Sequence, residues 1–566
     1  MNPITARPAS GVTTPQQAPP RRSRVEHLVW AAPVVAMAAL GLFDLGVPQL
    51  WRDEFATWSA ATRTLPQLWA MLHNTDAVLG VYYFGLHFWI AVFGASPVAM
   101  RLPSVIAMVI AAGVVGLIGR RLAGNAAGVA GGLIFALIPS VSRYAQEARP
   151  YAFATMFAAL ATLLFLRAME RPNWSRWAIY AVVLAAAGTA NLIALSVVAG
   201  HVLILLWDFL QRTVRMGGDG TPESGRRIPG GRIAPEGAPL LLLVRFCVSV
   251  VVSVILVSPL VIAGHSEQAA QIGGYSKPHV AQLIGVSGNL WQEMFASVPA
   301  AVVIMLLAVA SLVAASGPRR RTGALYALSF AIAPVVAVWL ISRGPFSYWM
   351  FRYMLFSIFG WALAAGMCIV YLAQRVKGTR FARFTGSVSP GFALAAVLIA
   401  LVGLAGLHDQ LNVRSYEAHN LWAYPEMPSN GLPADYKGAA AVVAAHERPG
   451  DGIIFQTSDV NHYQVNTAME YYLRGSKLPT PVFQAQTEVQ TNSLQPASRQ
   501  LAGCASDPSS CLKGTPRIWV VYVDHLAPNP FSAIDLQEAS YLQVMGYQTQ
   551  KMWQVNGMTV ALLTVA

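Results

Sequence analysis

The stretch HLVWAAPVVAMAALGLFDLGVPQLWRDEFATW, residues 27–58, decides the fold class of this chain. Its first part, 27–48, carries a single charged side chain, Asp44. It is therefore long and apolar enough to cross a bilayer core of ~30 Å as a helix. The polar segment WRDEFATW, 51–58, follows at once and contains two adjacent carboxylates, Asp53 and Glu54. The pattern predicts a membrane span that ends at a charged helix lying at the water boundary.

The composition extends this prediction to most of the chain. Of 566 residues, 55% are hydrophobic and 11% are charged, against about 25% charged residues in soluble domains. These proportions exclude a soluble globular protein and a disordered chain. Twelve apolar stretches recur between residues 27 and 407. The sequence therefore predicts a mainly helical, multi-pass membrane protein.

The basic residues predict which side of the membrane each loop occupies. Residues 1–407 carry 30 basic and 13 acidic side chains, whereas residues 408–566 carry 9 and 13. If the apolar stretch 80–95 lies along the outer surface, 22 of those 30 basic residues fall inside and 8 outside. Twelve crossings would instead place Arg120 and Arg121 outside. The positive-inside rule favours the first arrangement, with about eleven spans in the plasma membrane. The N-terminus is then cytoplasmic, and the positive excess indicates no nucleic-acid partner.

Three domains follow from this topology. Residues 1–26 are polar and predict a disordered cytoplasmic tail. Residues 27–407 form the membrane domain, and residues 408–566 form an extracytoplasmic α/β domain. The first outer region is expected to hold two surface-lying helices, about 54–73 and 79–95. A second outer region, 264–298, is amphipathic and is expected to rest on the membrane face.

The C-terminal domain has its own pattern. DYKGAAAVVAAHE, starting at Asp435, predicts an amphipathic helix, and a second helix is expected at 535–546. The apolar runs DGIIFQ, RIWVVYVD and TVALLTV and a segment near Met552–Val555 predict strands, giving a βαβ arrangement. Cys504 and Cys511 lie in an outer polar loop, where a disulfide is expected. The sequence contains no Gly-rich nucleotide motif.

Three outer-face motifs carry the candidate chemistry. In WRDEFATW, two adjacent carboxylates can serve as a general base with a charge or metal partner, or can simply stabilise the first turn of a helix. In RYAQEARPY, 143–151, an arginine can grip a phosphate, or an Arg–Glu pair can seal a helix end. In SRGPFSYWMFRYM, 342–354, arginines bracket aromatic residues, which suits a lipid phosphate or ordinary interfacial anchoring. Arg101 opens the second span at the same face.

These motifs carry a family resemblance. The W-x-D-E pattern after the first span resembles the GT-C type of integral-membrane glycosyltransferases, in particular bacterial protein O-mannosyltransferase-like enzymes and lipid A aminoarabinose transferases. HNTDAVLGVYYFGLHFW, 73–89, resembles their segment with an acidic residue before a paired-aromatic helix, although AVLG stands where those proteins often have His-Pro-Pro. AQEARPY and the late Arg352-Tyr353 also match, and the resemblance covers about residues 27–375.

The resemblance implies a specific reaction. Such enzymes move a sugar from a polyprenyl-phosphate carrier to an acceptor on the outer face, with inversion at the anomeric carbon. The implied catalytic residues are Asp53, the general base, and Glu54, its support. The implied donor-phosphate ligands are Arg149, Arg352, Arg101 and Tyr353. The implied substrate-binding residues are His73, Asp76, Tyr82, Gln146 and Glu147. Some members use a divalent metal such as Mg²⁺ or Mn²⁺ and others do not, so the metal stays open, with Asp53 and Glu147 as candidate ligands.

Several alternatives remain open at this stage. The sugar is expected to be mannose, because the pattern resembles actinobacterial mannosyltransferases, but a pentose (arabinose) or glucose donor fits the same architecture. The acceptor is a cell-envelope glycan, a lipoglycan or a protein. A lipid or glycan transporter is the rival from another class, although such a protein needs ionisable residues or broken helices near the bilayer midplane. A non-enzymatic assembly scaffold is a further alternative.

Overall fold

A computed structural model describes residues 24–216, 239–273, 275–285, 290–376, 389–416, 434–456, 464–476, 479–498, 504, 511–512, 514–523 and 527–565. Residues 1–23 of the predicted cytoplasmic tail lie outside this set. The last three residues of that predicted tail belong to the first helix, which begins at Arg24.

The membrane domain is built from helices. The helices are α1 (Arg24–Leu42), α2 (Arg52–Ala61), α3 (Leu65–Leu72), α4 (Gly80–Phe93), α5 (Pro97–Ala123), α6 (Asn125–Leu137), α7 (Pro139–Ala145), α8 (Tyr151–Glu170), α9 (Trp174–Ala190), α10 (Val198–Met216), α11 (Pro239–Ile272), α12 (Val280–Leu283), α13 (Leu290–Phe295), α14 (Val298–Ala314), α15 (Pro318–Ile341), α16 (Ile358–Val376) and α17 (Pro390–Asn412). Three of the described helices, α4, α10 and α16, directly follow a 3-10 turn, at Ala77–Leu79, Leu192–Val197 and Phe351–Ser357.

Each of the eleven predicted spans contains a helix. Within the described residues, seven helical segments are long and apolar enough to cross a membrane, and an eighth forms if α6 and α7, bent by 67° at their junction, count as one span. The other predicted spans correspond to the shorter helices α1, α9 and α14. The chain is therefore a multi-pass membrane protein, as its composition predicts. The orientation of its termini stays a prediction.

The most buried span occupies the centre of the membrane domain. In the segment Phe351–Val376, 94% of the residues of the apolar 18-residue stretch are buried, whereas the corresponding share in α17 is 17%. Close packing depends on glycine, because a Cβ on Gly366 would lie 2.4 Å from the backbone nitrogen of Gly131 in α6. Small residues allow this approach where lipid provides no hydrophobic drive for helix association. This central span carries Arg352 at its outer end.

The first outer region differs in detail from its prediction. The expected helix 54–73 is two helices, α2 and α3, because Thr64 starts a new helix through a capping box with Gln67. The expected helix 79–95 is α4, preceded by a 3-10 turn at Ala77–Leu79. Asp76 precedes that turn with a left-handed φ of 58°. The chain therefore bends sharply at a residue that belongs to the candidate site.

The region 264–298 also differs from its prediction. Helix α11 continues to Ile272, beyond the expected end of its span. Phe295 and Met294, at the end of α13, are fully buried in the core of the membrane domain. Trp291 packs edge-on against Trp361 of α16, with ring centroids 5.6 Å apart. The end of this region is therefore part of the protein interior, because its aromatic residues fill space above α16.

The C-terminal domain is α/β, as predicted. It contains α18 (Tyr436–His446), β1 (Gly452–Phe455), α19 (Val465–Leu473), β2 (Thr480–Pro481), β3 (Gln484–Gln486), β4 (Ala497–Ser498), β5 (Arg517–Val523), α20 (Leu536–Val544), β6 (Tyr547–Val555) and β7 (Met558–Val565). The main sheet has the order β2-β1-β5-β7-β6. Strands β2, β1 and β5 are parallel, whereas β7 and β6 form an antiparallel hairpin at the edge.

Local chemistry explains the ends of this sheet. A two-residue Asn556-Gly557 turn joins β6 to β7, and Gly557 has a φ of 71°, a conformation that glycine adopts without strain. Cys504 and Cys511 form the predicted disulfide and are buried against one face of the sheet.

Candidate active site

Four segments converge at one end of the membrane domain. They are the first turn of α2, the bend at Asp76 before α4, the connection between α7 and α8, and the start of the central span at Arg352. The bend at Pro139 turns α7 away from the axis of α6, and Pro150 ends the connection just before α8 begins at Tyr151. These breaks bring charges that are distant in sequence into one cluster.

Glu54 and Arg101 form the fully buried base of this cluster. The Arg101 Nε and Nη2 atoms donate to the two carboxylate oxygens of Glu54 at 2.9 and 2.7 Å. The remaining guanidinium donors bind the carbonyl oxygens of Leu45, Pro48 and Gln49 at 2.7–3.1 Å. Glu54 also accepts the Ala148 backbone N–H at 2.8 Å. All five Arg101 donors are engaged, so none is left for a phosphate. The pair joins α5 and α2 to the segment 45–49 and to the connection that contains Ala148.

Asp53 lies beside this pair, at the surface of the cluster. Its two oxygens lie 3.2 Å from Arg52 Nε and 3.8 Å from Arg149 Nε, and its side chain is 16% exposed. Burial by itself raises the pKa of Asp53. The surrounding guanidinium groups outweigh burial and hold this pKa below its usual value; they belong to Arg149, Arg52, Arg352 and Arg143. Asp53 is therefore an anion near neutral pH, within reach of solvent.

Arg149 connects Asp53 to the bend before α4. Its Nη1 atom donates to the hydroxyl of Tyr83 at 3.2 Å and lies 3.4 Å from the hydroxyl of Thr57. The Tyr83 hydroxyl in turn donates to Asp76 at 2.7 Å. Burial raises the pKa of Asp76 above its usual value, although Arg149 opposes this effect. Arg149 thus lies between the carboxylate of Asp53 and the Tyr83 hydroxyl, which in turn is bonded to Asp76, and these contacts orient its guanidinium.

Arg352 is a buried cation whose hydrogen-bonding capacity is not used. It is 7% exposed, and its Nε atom has no hydrogen-bond partner among the residues that the structure describes. Its guanidinium lies 5.8 Å from the ring centre of Tyr353 and is close enough to Asp53 to lower the pKa of that carboxyl. A buried charge normally requires a partner. An anion bound between Arg352 and Arg149 would supply one.

Glu147 and Arg143 form a second buried pair. Arg143 donates to Glu147, and its guanidinium lies over the rings of Trp51 and Tyr144 at 5.7 and 5.2 Å. The second carboxyl oxygen of Glu147, Oε1, has no partner among the described residues. Burial is the main cause that raises the pKa of Glu147 to about 7, against the attraction of Arg143. The two carboxyl groups Asp53 and Glu147 therefore differ in protonation at neutral pH.

The structure places the predicted site residues at different positions relative to the cluster. Asp53, Asp76, Glu147, Arg149, Arg352 and Tyr353 lie in or against the cluster. Glu54 and Arg101 lie beneath it, engaged with each other. Gln146 donates to the carbonyl oxygens of Gly41 and Phe43 at 3.1 and 2.6 Å and so ties α7 to α1.

Among the described residues, His73 and Tyr82 make no hydrogen bond to the charged side chains of the cluster. His73 is exposed at the end of α3, where its ring contacts Trp69. Tyr82 packs against Phe153, and its buried hydroxyl lies within electrostatic range of Arg149, Glu54 and Glu147.

Two polar side chains of the cluster were missed by sequence reasoning. Thr57 lies one helical turn after Asp53, on the same face of α2, so the i, i+4 spacing could have indicated it. Tyr83 is adjacent to Tyr82 in sequence and is fully buried. No sequence signal distinguishes these two tyrosines, because the bend at Asp76 decides which ring points to Arg149.

The cluster does not fit a divalent metal. Within the described part of the chain, no group of three or more His, Cys, Asp or Glu side chains is close enough to share an ion. The candidate pair Asp53 and Glu147 lies among Arg52, Arg143, Arg149 and Arg352. Four positive charges at this range disfavour a further cation and favour an anion.

The C-terminal domain packs directly on α2. The ring of Phe55 contacts the rings of Tyr436, Tyr471 and Tyr472 at centroid distances of 5.1–5.9 Å. Near the end of α2, Arg63 is buried and donates to the backbone carbonyls of Glu488 and Ser493. The helix that carries Asp53 is thus held between the membrane domain and the C-terminal domain.

Comparison with known proteins gives an independent view of the fold. The sequence model of the dolichyl-phosphate-mannose-protein mannosyltransferase family matches residues 80–216. No curated protein matches the chain. Among solved structures, ArnT from Cupriavidus metallidurans bound to undecaprenyl phosphate is similar, with a TM-score of 0.52 and 14% identity over 95% of this chain and 98% of that one. The apo form of the same protein matches with a TM-score of 0.52 and 13% identity, over 96% and 99%. The chain therefore shares the fold of ArnT over nearly its whole length.

Proposed function

We propose that this protein is a glycosyltransferase that moves a sugar from a polyprenyl-phosphate carrier to an acceptor hydroxyl on the outer face of the membrane. The observation that carries the proposal is Arg352, a buried cation with unused hydrogen-bonding capacity facing Arg149 and Asp53. A phosphate at the end of a lipid chain matches both the positive cluster and its place at the end of the central span. ArnT, whose fold is similar, is described as bound to undecaprenyl phosphate.

Asp53 is the proposed general base. It is anionic and partly exposed, so it can accept the proton of an acceptor hydroxyl. As that oxygen bonds to the anomeric carbon from one side, the bond from this carbon to the phosphate oxygen breaks on the other side, which inverts the centre. The leaving polyprenyl phosphate takes the bonding electrons. Arg352 and Arg149 stabilise its developing charge.

Glu54 and Arg101 are proposed to act as positioning residues. Their mutual ion pair and their bonds to the backbone hold the segment 45–49 and Ala148 in place around Asp53. This assignment replaces a direct role for Arg101 on the phosphate, because its donors are engaged.

The finer identity of the substrates is also a proposal. Mannose is the favoured sugar, supported by the match of residues 80–216 to the dolichyl-phosphate-mannose-protein mannosyltransferase model. A polyprenyl-phosphate pentose such as arabinose, or a glucose donor, is the alternative. The acceptor is a cell-envelope glycan, a lipoglycan or a protein hydroxyl. No metal takes part in the proposed steps.

The test is sugar transfer in membranes that contain the full-length protein, with radiolabelled polyprenyl-phosphate mannose, arabinose and glucose supplied in parallel. Asp53→Asn is expected to abolish transfer while donor binding remains. Arg352→Ala is expected to raise the apparent KM for the donor at least tenfold, which corresponds to about 1.4 kcal/mol. Arg343→Ala is the matched control, because Arg343 is an exposed arginine of the same outer segment.

The same experiment can refute the proposal. Near-normal turnover of Asp53→Asn would remove Asp53 as the base. An unchanged donor KM in Arg352→Ala would remove Arg352 from the phosphate site. If none of the three labelled sugars is transferred by the unaltered protein, the proposed donor class is wrong.

A further inference from the structure

The C-terminal domain contains a cleft of its own. It has a volume of about 630 Å³, including space open to solvent. Phe455 and Gln456 line it at the end of β1, and Val482 and Phe483 line it just after β2. The cleft thus lies at the carboxyl ends of two parallel strands. In open α/β sheets, ligands bind in the crevice outside these ends.

Two polar side chains in the cleft lack partners. Glu538 of α20 is 3% exposed, and its Oε2 atom has no hydrogen-bond partner among the residues that the structure describes. Gln495 also lines the cleft, and its buried Oε1 atom is likewise without a partner in the described part of the chain. Buried polar atoms are almost always hydrogen-bonded. Two such atoms on the walls of one cleft indicate a ligand that supplies donors.

The lining also indicates the charge of that ligand. Among the described lining residues, none is basic, so a phosphate or carboxylate has no counter-charge here. Burial, with the nearby Asp535 charge, raises the pKa of Glu538 to about 7, so this carboxyl both donates and accepts hydrogen bonds near neutral pH. The remaining wall is largely apolar, with Ile453 and Phe455 beside the amide groups of Gln456 and Asn466. A neutral ring with hydroxyl groups on its edge and C–H groups on its face suits these surfaces.

We infer that this cleft binds a neutral saccharide, whose hydroxyl groups hydrogen-bond to Glu538 and Gln495. The cleft is separate from the arginine cluster, but α19 connects the two. Asn466 lines the cleft near the start of this helix, and Tyr471 contacts Trp58 of α2 near its end, at 5.3 Å between ring centroids. The inference holds whether or not the arginine cluster transfers a sugar.

The test measures binding of neutral trisaccharides to the full-length protein in detergent micelles by saturation-transfer NMR. Mannotriose, arabinotriose and maltotriose are the probes, and at least one is expected to bind. Glu538→Ala and Gln495→Ala are each expected to weaken its binding about tenfold, the effect of one lost hydrogen bond of ~1.4 kcal/mol. Gln537→Ala is the matched control, because Gln537 is the exposed neighbour of Glu538 on α20.

The isosteric variant Glu538→Gln separates the effect of charge from the effect of shape. It is expected to retain binding, since a neutral amide can replace a carboxyl group toward hydroxyls. Loss of trisaccharide binding in Glu538→Gln would show that a neutral hydrogen-bonding group at position 538 is not sufficient, and would overturn the inference. So would the absence of binding by all three trisaccharides, or equal binding by the unaltered protein and both alanine variants. Asp53→Asn should leave this binding unchanged, which separates the cleft from the proposed transfer site.

Discussion

At the scale of single residues, two buried arginines of the outer face differ in what satisfies them. Arg101 uses all its donors on Glu54 and three backbone carbonyls. Arg352 is buried nearly as well but has an unused Nε donor. Both arginines follow the same sequence rule, a basic residue at the outer end of a span. Only their partners distinguish a positioning residue from a candidate ligand-binding residue.

This difference predicts opposite effects on stability. Arg101→Ala leaves Glu54 as a buried charge without its ion-pair partner, which typically costs about 3–5 kcal/mol. We therefore expect a large drop in the thermal unfolding temperature of the purified protein, or loss of folded protein altogether. Arg352→Ala removes a buried cation that makes no hydrogen bond to the described residues and only a longer-range attraction to Asp53, so its unfolding temperature is expected to be equal or higher. The reverse order in a thermal melt in detergent would contradict both assignments.

Glu147 predicts a pH dependence of stability. Its pKa is about 7 in the folded protein, against an ordinary value of 4.5, so the folded state binds the proton more tightly than the unfolded state. The free energy of unfolding therefore falls as the pH rises from about 4.5 to about 7. Glu147→Gln removes this contribution.

The unfolding temperature of Glu147→Gln is expected to fall less between pH 5 and pH 7.5 than that of the unaltered protein. Glu470 and Glu538 also have raised pKa values of about 7 and contribute in the same direction. The quantity to compare is therefore the slope of unfolding temperature against pH in the variant and in the unaltered protein. Equal slopes in both proteins would show that Glu147 titrates at its ordinary pKa.

At the scale of elements, the site depends on the places where helices break. The bend at Pro139 and the connection before α8 position Arg143, Glu147 and Arg149, and the left-handed residue Asp76 positions the start of α4. Helix α11 contributes as well, because Glu267 near its end accepts the Ala77 backbone N–H at 3.2 and 3.3 Å. Each break places a polar group that a continuous helix would direct elsewhere.

The connection between α4 and α8 can be tested through Tyr83. Tyr83→Phe removes the hydroxyl that links Arg149 to Asp76, and its expected cost is about 1–3 kcal/mol because both partners stay buried. In the transfer assay, the donor KM is expected to rise roughly fivefold to a hundredfold. Tyr82→Phe is the matched control on the adjacent ring. An equal rise in donor KM in the two variants would show that the Tyr83 hydroxyl has no special role.

At the scale of the whole molecule, the C-terminal domain is attached to the helix that bears the candidate base. Phe55 and Trp58 on α2 pack against aromatic residues of α18 and α19. Tyr471 also donates to the carbonyl of Ala95, next to α4. The C-terminal domain and the segment that contains α2–α4 are therefore expected to lie on the same side of the membrane.

The topology can be tested by cysteine labelling of whole cells. A cysteine at position 90, on α4, is expected to react from outside, because eleven spans place this helix on the outer surface. A cysteine at position 537, on the exposed side of α20, is the control for the C-terminal domain. If position 90 is labelled only after the membrane is permeabilised, the result would support twelve spans and contradict eleven.

The sequence by itself determined the elements that depend on local composition. Apolar length predicted every span, alternation and turn residues predicted strands β1, β5 and β7, and two nearby cysteines predicted their disulfide. Motif order placed Asp53, Arg149 and Arg352 at one face. These features are local because a helix or a strand is selected by residues within a few turns.

Only the tertiary structure decided which charges pair. Glu54 and Arg101 are 47 positions apart, and Tyr83 meets Arg149 across 66 positions. Helix breaks and close packing decide three further features. They decide that Tyr83 and not Tyr82 bonds to Arg149, that Gln146 bonds to α1, and that one donor of Arg352 stays unused among the described residues. Pairing of buried charges is decided by distances of a few ångströms, because the free energy of a buried ion depends on its immediate partners. Those distances exist only after the chain has folded.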